Sequence, residues 1–189
     1  MNIQKEDLGR QLRDFGVPVV ESDGEIVLAG LFVVENLTRP SGISVARNRV
    51  VTQGLSYMAG VAIGPTAKIS TWYLAPFAGN VTPQANLTAA NFNSTTTEFT
   101  NYDEGTRREF TPGAVASGVI GNLSARAEIT IGDGAQDIIY GLGLISSSAK
   151  AGTAGTLMAA ARLGSPRGDL QEGDVIALGY QLSVIDPTA

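Results

Sequence analysis

Over residues 124–131, polar and apolar side chains alternate one by one: Ser124, Arg126, Glu128 and Thr130 against Ala125, Ala127, Ile129 and Ile131. A period of two places successive side chains on opposite faces of an extended chain, one wet and one buried, and no helix satisfies it. Residues 175–185 repeat the pattern, with Ile176, Leu178, Tyr180, Leu182 and Val184 on one side and Ala177, Gly179, Gln181 and Ser183 on the other. Between them, Gly132-Asp133-Gly134 supplies a turn, residues 137–145 read as the returning apolar strand, and residues 156–163 as another. Short strands at this spacing, punctuated by Gly and Pro, predict a mainly β chain folded as an antiparallel, jelly-roll-like β-sandwich.

Upstream, residues 25–36 form the most apolar segment. Ile26, Leu28 and Phe32 alternate with Val27, Leu31 and Val33, so both faces are greasy. Such a strand is either central in its sheet or covered by another chain. The run 71–75 is also strongly β, and Pro76 restricts it to a strand end or edge. Two segments read as helix. Near residues 47–62, Val51, Leu55, Met58 and Ala62 follow helical spacing, with Thr52 placed to cap and Gly64-Pro65 to stop. At the N-terminus, Leu8, Leu12 and Phe15 fall at i, i+4 and i+7, surrounded by Lys5, Glu6, Asp7, Arg10, Arg13 and Asp14, with Gly16 and Pro18 beyond. A helix of about ten residues is marginal alone, so its apolar stripe must dock, on its own domain or on a neighbouring subunit. The chain thus divides into an N-terminal helical arm, residues 1–20, and one β-sandwich domain, residues 21–189, carrying a long polar loop region at 78–123. A loop that long in a compact domain is usually a contact element.

Composition bears on chemistry. The 189 residues include no cysteine and no histidine, which removes disulfides, thiolate and imidazole metal sites, thiol nucleophiles and Ser-His-Asp catalysis. No cofactor, no metal and no catalytic group is expected. A net charge of -5 argues against nucleic acid, whose phosphates require a basic surface. The start of the chain is polar and acidic, unlike a signal peptide. The longest apolar stretch, nine residues at 26–34, is well short of the roughly 20 that span a membrane as a helix. Charged residues make up 16% of the chain, against roughly 25% in soluble domains. A surface so poor in charge is carried by Ser, Thr and Asn or is covered by partners, and assembly is the stronger component here.

The short motifs have plain explanations. Ser147-Ser148-Ala149-Lys150 has Ser-x-x-Lys spacing but lacks the Ser-Asp-Asn and Lys-Thr-Gly partners that this acyl-transfer chemistry needs. Arg167-Gly168-Asp169 spells an adhesion tripeptide in what reads as an ordinary turn. Gly141-Leu142-Gly143 lacks the third glycine of a dinucleotide loop and reads as a close-packed strand. Asp103, Glu104 and Glu109 bracket Arg107 and Arg108, and a loop-fixing ion-pair cluster explains them better than a glycosidase carboxylate pair in a chain with one Trp.

The order and wording of several segments point further. Residues 50–55 (Val-Val-Thr-Gln-Gly-Leu) precede residues 71–77 (Thr-Trp-Tyr-Leu-Ala-Pro-Phe) and 79–84 (Gly-Asn-Val-Thr-Pro-Gln). Thr97-Glu98, Asn101-Tyr102-Asp103-Glu104 and Thr106-Arg107-Arg108-Glu109-Phe110 follow, and residues 170–175 (Leu-Gln-Glu-Gly-Asp-Val) lead into the closing strand. Over residues 50–185 this resembles the cement, or head-decoration, proteins of tailed bacteriophages. The resemblance implies a non-enzymatic, jelly-roll-like protein, made in the host bacterial cytoplasm and carried on the outer capsid surface of the virion. There it bridges neighbouring capsomers as a homo-oligomer, a dimer or trimer, with the major capsid protein and copies of itself as partners. On this reading Leu8, Leu12 and Phe15 form an interface across a subunit boundary and the 78–123 region meets the shell. Glu98, Tyr102, Arg107 and Arg108 would hold that region in place. The alternative is a tail-fibre or tail-tip module that recognises a host surface glycan.

Overall fold

Two antiparallel five-stranded sheets pack face to face in the computed structural model, which describes residues 27–134 and 138–185. In chain order the elements are β1 (Val27–Asn36), β2 (Ile43–Arg47), β3 (Arg49–Val50), α1 (Thr52–Ile63), β4 (Trp72–Phe77) and α2 (Ala89–Thr96). They continue with β5 (Arg108–Phe110), β6 (Val119–Gly121), β7 (Ala127–Thr130), β8 (Ile139–Ile145), β9 (Leu157–Arg167) and β10 (Val175–Ile185). The first sheet runs β2-β1-β10-β6, with β7 also on β10, and the second runs β3-β9-β8-β4-β5. The antiparallel β-sandwich predicted from alternation is the fold that forms.

The apolar patterns explain the layering. β1 lies between β2 and β10, and Phe32, Val33 and Val34 on its two faces are all buried, so the doubly greasy strand is central. Its pairing with β10 runs without interruption from Val27 opposite Ile185 to Asn36 opposite Ile176. Between the sheets, Phe32, Leu74, Ile129, Leu142, Leu144, Ile176 and Leu178 form the main core around Tyr180. The Tyr180 ring lies 4.6 Å from Phe32 and meets Phe110 edge-on at 5.7 Å. Its hydroxyl accepts a hydrogen bond from Asn48 Nδ2 at 2.8 Å, just where the chain crosses from the first sheet to the second. A second cluster, including Val51, Phe77, Leu87, Phe92, Ile145 and Leu157, covers the opposite face of the second sheet. Gly141 and Gly143 make this packing possible. A Cβ on Gly141 would fall 2.1 Å from Phe77 Cζ, and one on Gly143 would fall 2.8 Å from Phe92 Cε2, so the pair is indeed a close-packed strand.

Several local expectations are corrected. The predicted helix near 47–62 begins at Thr52, after β2 and β3, and Val51 rather than Thr52 occupies its N-cap. Its buried residue is Gly54, whose Cβ position is only 2.2 Å from the Met158 carbonyl oxygen, so the helix sits glycine-down and Leu55 turns outward. The 78–123 region is not one loop but holds α2, β5 and β6. Pro76 meets its expectation, lying one residue before the end of β4 on a stretch that β5 does not cover. β5 pairs only with Trp72, Tyr73 and Leu74, and the Pro76 carbonyl accepts from Phe99 N–H at 2.9 Å on that same side. The missing N–H of Pro76 therefore faces a stretch where β5 is already absent, as proline in a sheet requires. Gly132-Asp133-Gly134 does not close a hairpin, because β7 pairs with β10 in one sheet while β8 pairs with β4 and β9 in the other. The amphipathic N-terminal helix falls outside the described residues.

Candidate functional site

α2 owes its start to a capping box, in which Thr88 and Asn91 bond each other's backbone N–H groups. It ends at Thr97, which adopts the left-handed conformation (φ 53°), and the following N–H, that of Glu98, donates to Asn93 Oδ1 at 3.1 Å. This sharp turn drives the Glu98 carboxylate into the protein, where the Arg107 guanidinium meets it. Nε donates to Oε1 at 2.8 Å and Nη2 to Oε2 at 2.6 Å, with both side chains fully shielded from solvent. The pair is stitched to a third segment. Arg107 Nη1 donates to the Ser147 carbonyl at 2.8 Å and Nη2 to that of Gly152 at 3.3 Å, while the Ala151 N–H donates to Glu98 Oε2 at 3.0 Å. Removing two charges from water is costly, and a bidentate geometry with its remaining donors and acceptors satisfied is what makes it tolerable.

Beside this pair, the Tyr102 ring stacks parallel to Phe99, 6.5 Å between centroids, and Lys150 Nζ stands 3.5 Å over its face. Lys150 also donates to the Tyr102 carbonyl at 2.6 Å and that of Thr100 at 3.4 Å. Burial raises the phenol pKa of Tyr102, with the Glu98 charge adding to the effect, and burial lowers that of Lys150. Asn101 clasps Gly134, donating to its carbonyl at 3.0 Å and accepting its N–H at 2.7 Å. The Glu104 carboxylate accepts the Thr130 N–H at 3.2 Å. Residues 97–107, 130–134 and 147–152 are thereby tied into one block. Its ion pair holds these loops together, with the Arg107 side chain wholly buried.

Arg108 is not part of this block. Successive residues on an extended chain point to opposite sides, so Arg107 enters the protein and Arg108 stays exposed on β5. There it lines an open cleft of about 590 Å³ with Tyr73, Thr106, Glu109, Thr111 and Arg126. Arg126 is paired with Glu35, and Glu109 offsets Arg108, so the cleft has no strong net charge.

A second polar cluster closes the far end of β1. The Asp174 carboxylate accepts from Asn36 Nδ2 at 3.0 Å, the Gln171 N–H at 2.9 Å and Arg39 Nε at 3.0 Å. The hydrogen bond from Arg39, with those of Gln171 and Asn36, holds the Asp174 carboxyl down at about 2. The tripeptide Arg167-Gly168-Asp169 belongs here as well. Arg167 is only 6% exposed and donates to Ser41 Oγ at 2.7 Å, so it is structural and is not displayed for a receptor.

The exterior carries the remaining signal. α1 has no charged residue, and on its outer side Leu55 is 45% and Ile63 94% exposed. Ile43, Val115 and Val184 are other exposed apolar side chains. Helical spacing alone assigns Leu55 to the core, and the signal that would have corrected it is Gly54, which marks the side of close approach. Among the described residues no group of three or more acidic side chains is arranged to hold a metal ion, and no helix is long and apolar enough to cross a membrane. Leu8, Leu12 and Phe15 lie outside the described residues. No protein-family model, no curated protein and no solved structure matches this chain.

Proposed function

We propose that this chain is a structural virion protein that decorates and cements the outside of a bacteriophage capsid, bridging neighbouring capsomers. The observation that carries this reading is the contrast between a buried ion-pair cluster and apolar side chains left exposed on α1. The elaborate charged cluster is buried, paired and devoted to fixing loops, whereas uncharged side chains such as Leu55 and Ile63 stand in solvent. Such surface suits a protein completed by its neighbours. Repetition of modest interfaces over a symmetric lattice stabilises a shell without any strong single contact. In this reading the chain is not an enzyme, acts as a homo-oligomer, and contacts the major capsid protein through the region 78–123, stiffened from within by Glu98 and Arg107. Leu8, Leu12 and Phe15 form the contact across subunits.

Mass spectrometry of purified virions tests the assignment. Hundreds of copies per particle support decoration, and a handful of copies sinks it. Removal of residues 1–16 is expected to abolish capsid association while leaving the β domain folded. The open cleft beside β5, with the Tyr73 ring, Arg108 and two threonines on its walls, favours the second reading, a tail-fibre or tail-tip module for a host glycan. Glycan-array binding that is lost on Arg108→Ala would establish that alternative.

A further inference from the structure

We propose that the open cleft beside β5 receives an extended segment of a different protein, held as an added β-strand by main-chain hydrogen bonds. The inference deepens the contact role proposed above for the region 78–123, which supplies one lip of the cleft, and rests on that reading for the partner. β5 and β7 are edge strands, one from each sheet, and form no ladder with each other. In an antiparallel strand the N–H and C=O of one residue point to one side and those of the next residue to the other. The Pro76 carbonyl faces Phe99 on the β5 side, so Leu74 and Trp72 also face β5, and their partners Arg108 and Phe110 face back. Glu109 therefore turns its backbone groups away from β4, as Arg107 does in donating to the Ser148 carbonyl at 2.8 Å. Thr111 continues on that side, held extended by Pro112. On β7 the Thr130 carbonyl accepts the Asp103 N–H at 2.9 Å and the Thr130 N–H meets Glu104, both away from β10. Glu128 and Arg126 face outward in turn, and Glu109, Thr111 and Arg126 all line the cleft. Among the described residues, no hydrogen bond reaches the outward backbone groups of Glu109, Thr111, Arg126 or Glu128.

Both lips are ladders broken off in the middle. On the β5 side Ser148 takes the Arg107 N–H and the Gly121 carbonyl takes that of Gly113 at 2.9 Å, leaving Glu109 and Thr111 bare between them. On the β7 side the chain itself begins a third strand. Tyr102 bridges Ile131 and Asp103 bonds Thr130, and the chain then turns away before it reaches Glu128. The bare positions recur every second residue, about 6.8 Å apart, each with one donor and one acceptor. That repeat is the signature of an extended polypeptide, and a sheet edge that offers it is a template for strand addition. Three or four residues, about 10–13 Å of strand, cover either lip. Charge does not choose the ligand, because Glu109 offsets Arg108 and Glu35 takes Arg126. The described strands of this chain are all committed to its own two sheets, so the added one comes from another protein, the shell protein on the decoration reading.

Proline tests main-chain recognition selectively. At Glu109 or Glu128 it deletes an N–H that faces the cleft and spares the ladder to β4 or β10. The probe is a random ten-residue peptide library panned against the full-length chain, with the selected peptide resynthesised. Its dissociation constant should rise at least tenfold for Glu109→Pro and for Glu128→Pro, while Glu109→Ala and Glu128→Ala stay within twofold. Methylating alternate backbone nitrogens of the peptide should weaken it at least tenfold on the unaltered chain, a measure that does not depend on the folding of any variant. Hydrogen exchange at Glu109, Thr111, Arg126 and Glu128 should be fast in the free chain and slow in the complex. A library that yields no binder at this cleft, affinity indifferent to both prolines and to methylation, or alanine variants as weak as the proline ones would overturn the proposal. So would amides already protected in the free chain, which assign the cleft to a segment of the chain itself, or a saccharide that displaces the peptide and requires Arg108. Low copy number in virions would defeat the decoration reading without altering peptide binding, so the two failures are distinguishable.

Discussion

Two of the carboxylate–arginine pairs of this protein do similar work in opposite surroundings. Glu98–Arg107 is dry, with both side chains at 0% exposure, whereas Arg39–Asp174 is half wet, with the arginine side chain 37% exposed and the carboxylate 4%. Each ties the end of one element to a distant loop. The difference lies in what remains when a partner is removed. At the wet pair Arg39, left alone, can be hydrated, and Asp174 keeps the Asn36 and Gln171 hydrogen bonds, while at the dry pair either survivor is stranded, so burial turns an ordinary ion pair into a lock.

Substitutions can break or sharpen that contrast. The largest effect is expected for Glu98→Ala or Arg107→Ala, each destabilising by about 3–5 kcal/mol in urea unfolding. The joint change Glu98→Gln with Arg107→Met should cost less than either, because no charge is left behind. At the wet pair the signature is pH dependence. Asp174 has a folded-state pKa depressed to about 2, so its contribution is present above the ordinary carboxylate value near 4 and is lost as pH falls from there towards 2. Arg39→Ala should lower stability at pH 7, where that contribution is fully present, and flatten the stability–pH slope in that window, so that variant and parent converge as pH nears 2. Thr97, exposed and held at φ 53°, should accept glycine with a gain of about 0.5–1 kcal/mol, because the left-handed turn that delivers Glu98 strains a β-branched residue. Arg108→Ala should stay within about 0.5 kcal/mol, since this arginine stands outside the lock. A loss for Arg108→Ala comparable to that for Arg107→Ala would overturn the distinction between them.

The sequence revealed strands better than the connections between them. β1 and β10 are legible because burial on one or both faces writes itself directly into alternation. Which strand pairs with which is not. Gly132-Asp133-Gly134 signals that the chain turns, but the turn leads from one sheet into the other, and no local pattern distinguishes those outcomes. α2 was missed because only Ala89, Phe92 and Thr96 are buried in an otherwise polar segment, though Thr88 and Asn91, three apart, carried the capping signal. Of the polar cluster, the charges at 98 and 107 are visible as residue types. That they meet depends on the left-handed turn at Thr97, and that Arg108 does not join them depends on the pleat of β5. The arm lies outside the described residues, so its stripe is read from spacing alone.

The longest ladder in the molecule joins Val27–Asn36 to Val175–Ile185, nearly the whole chain apart. During synthesis β1 emerges early with both faces apolar and then waits, through roughly 150 more residues, for the strand that will lie beside it. Closure of the first sheet therefore waits until the ribosome has delivered Val175–Ile185. Until then an unpaired apolar edge is open to any neighbouring nascent copy, and a chaperone that shields it would raise the yield of correctly folded protein without staying bound to the folded chain.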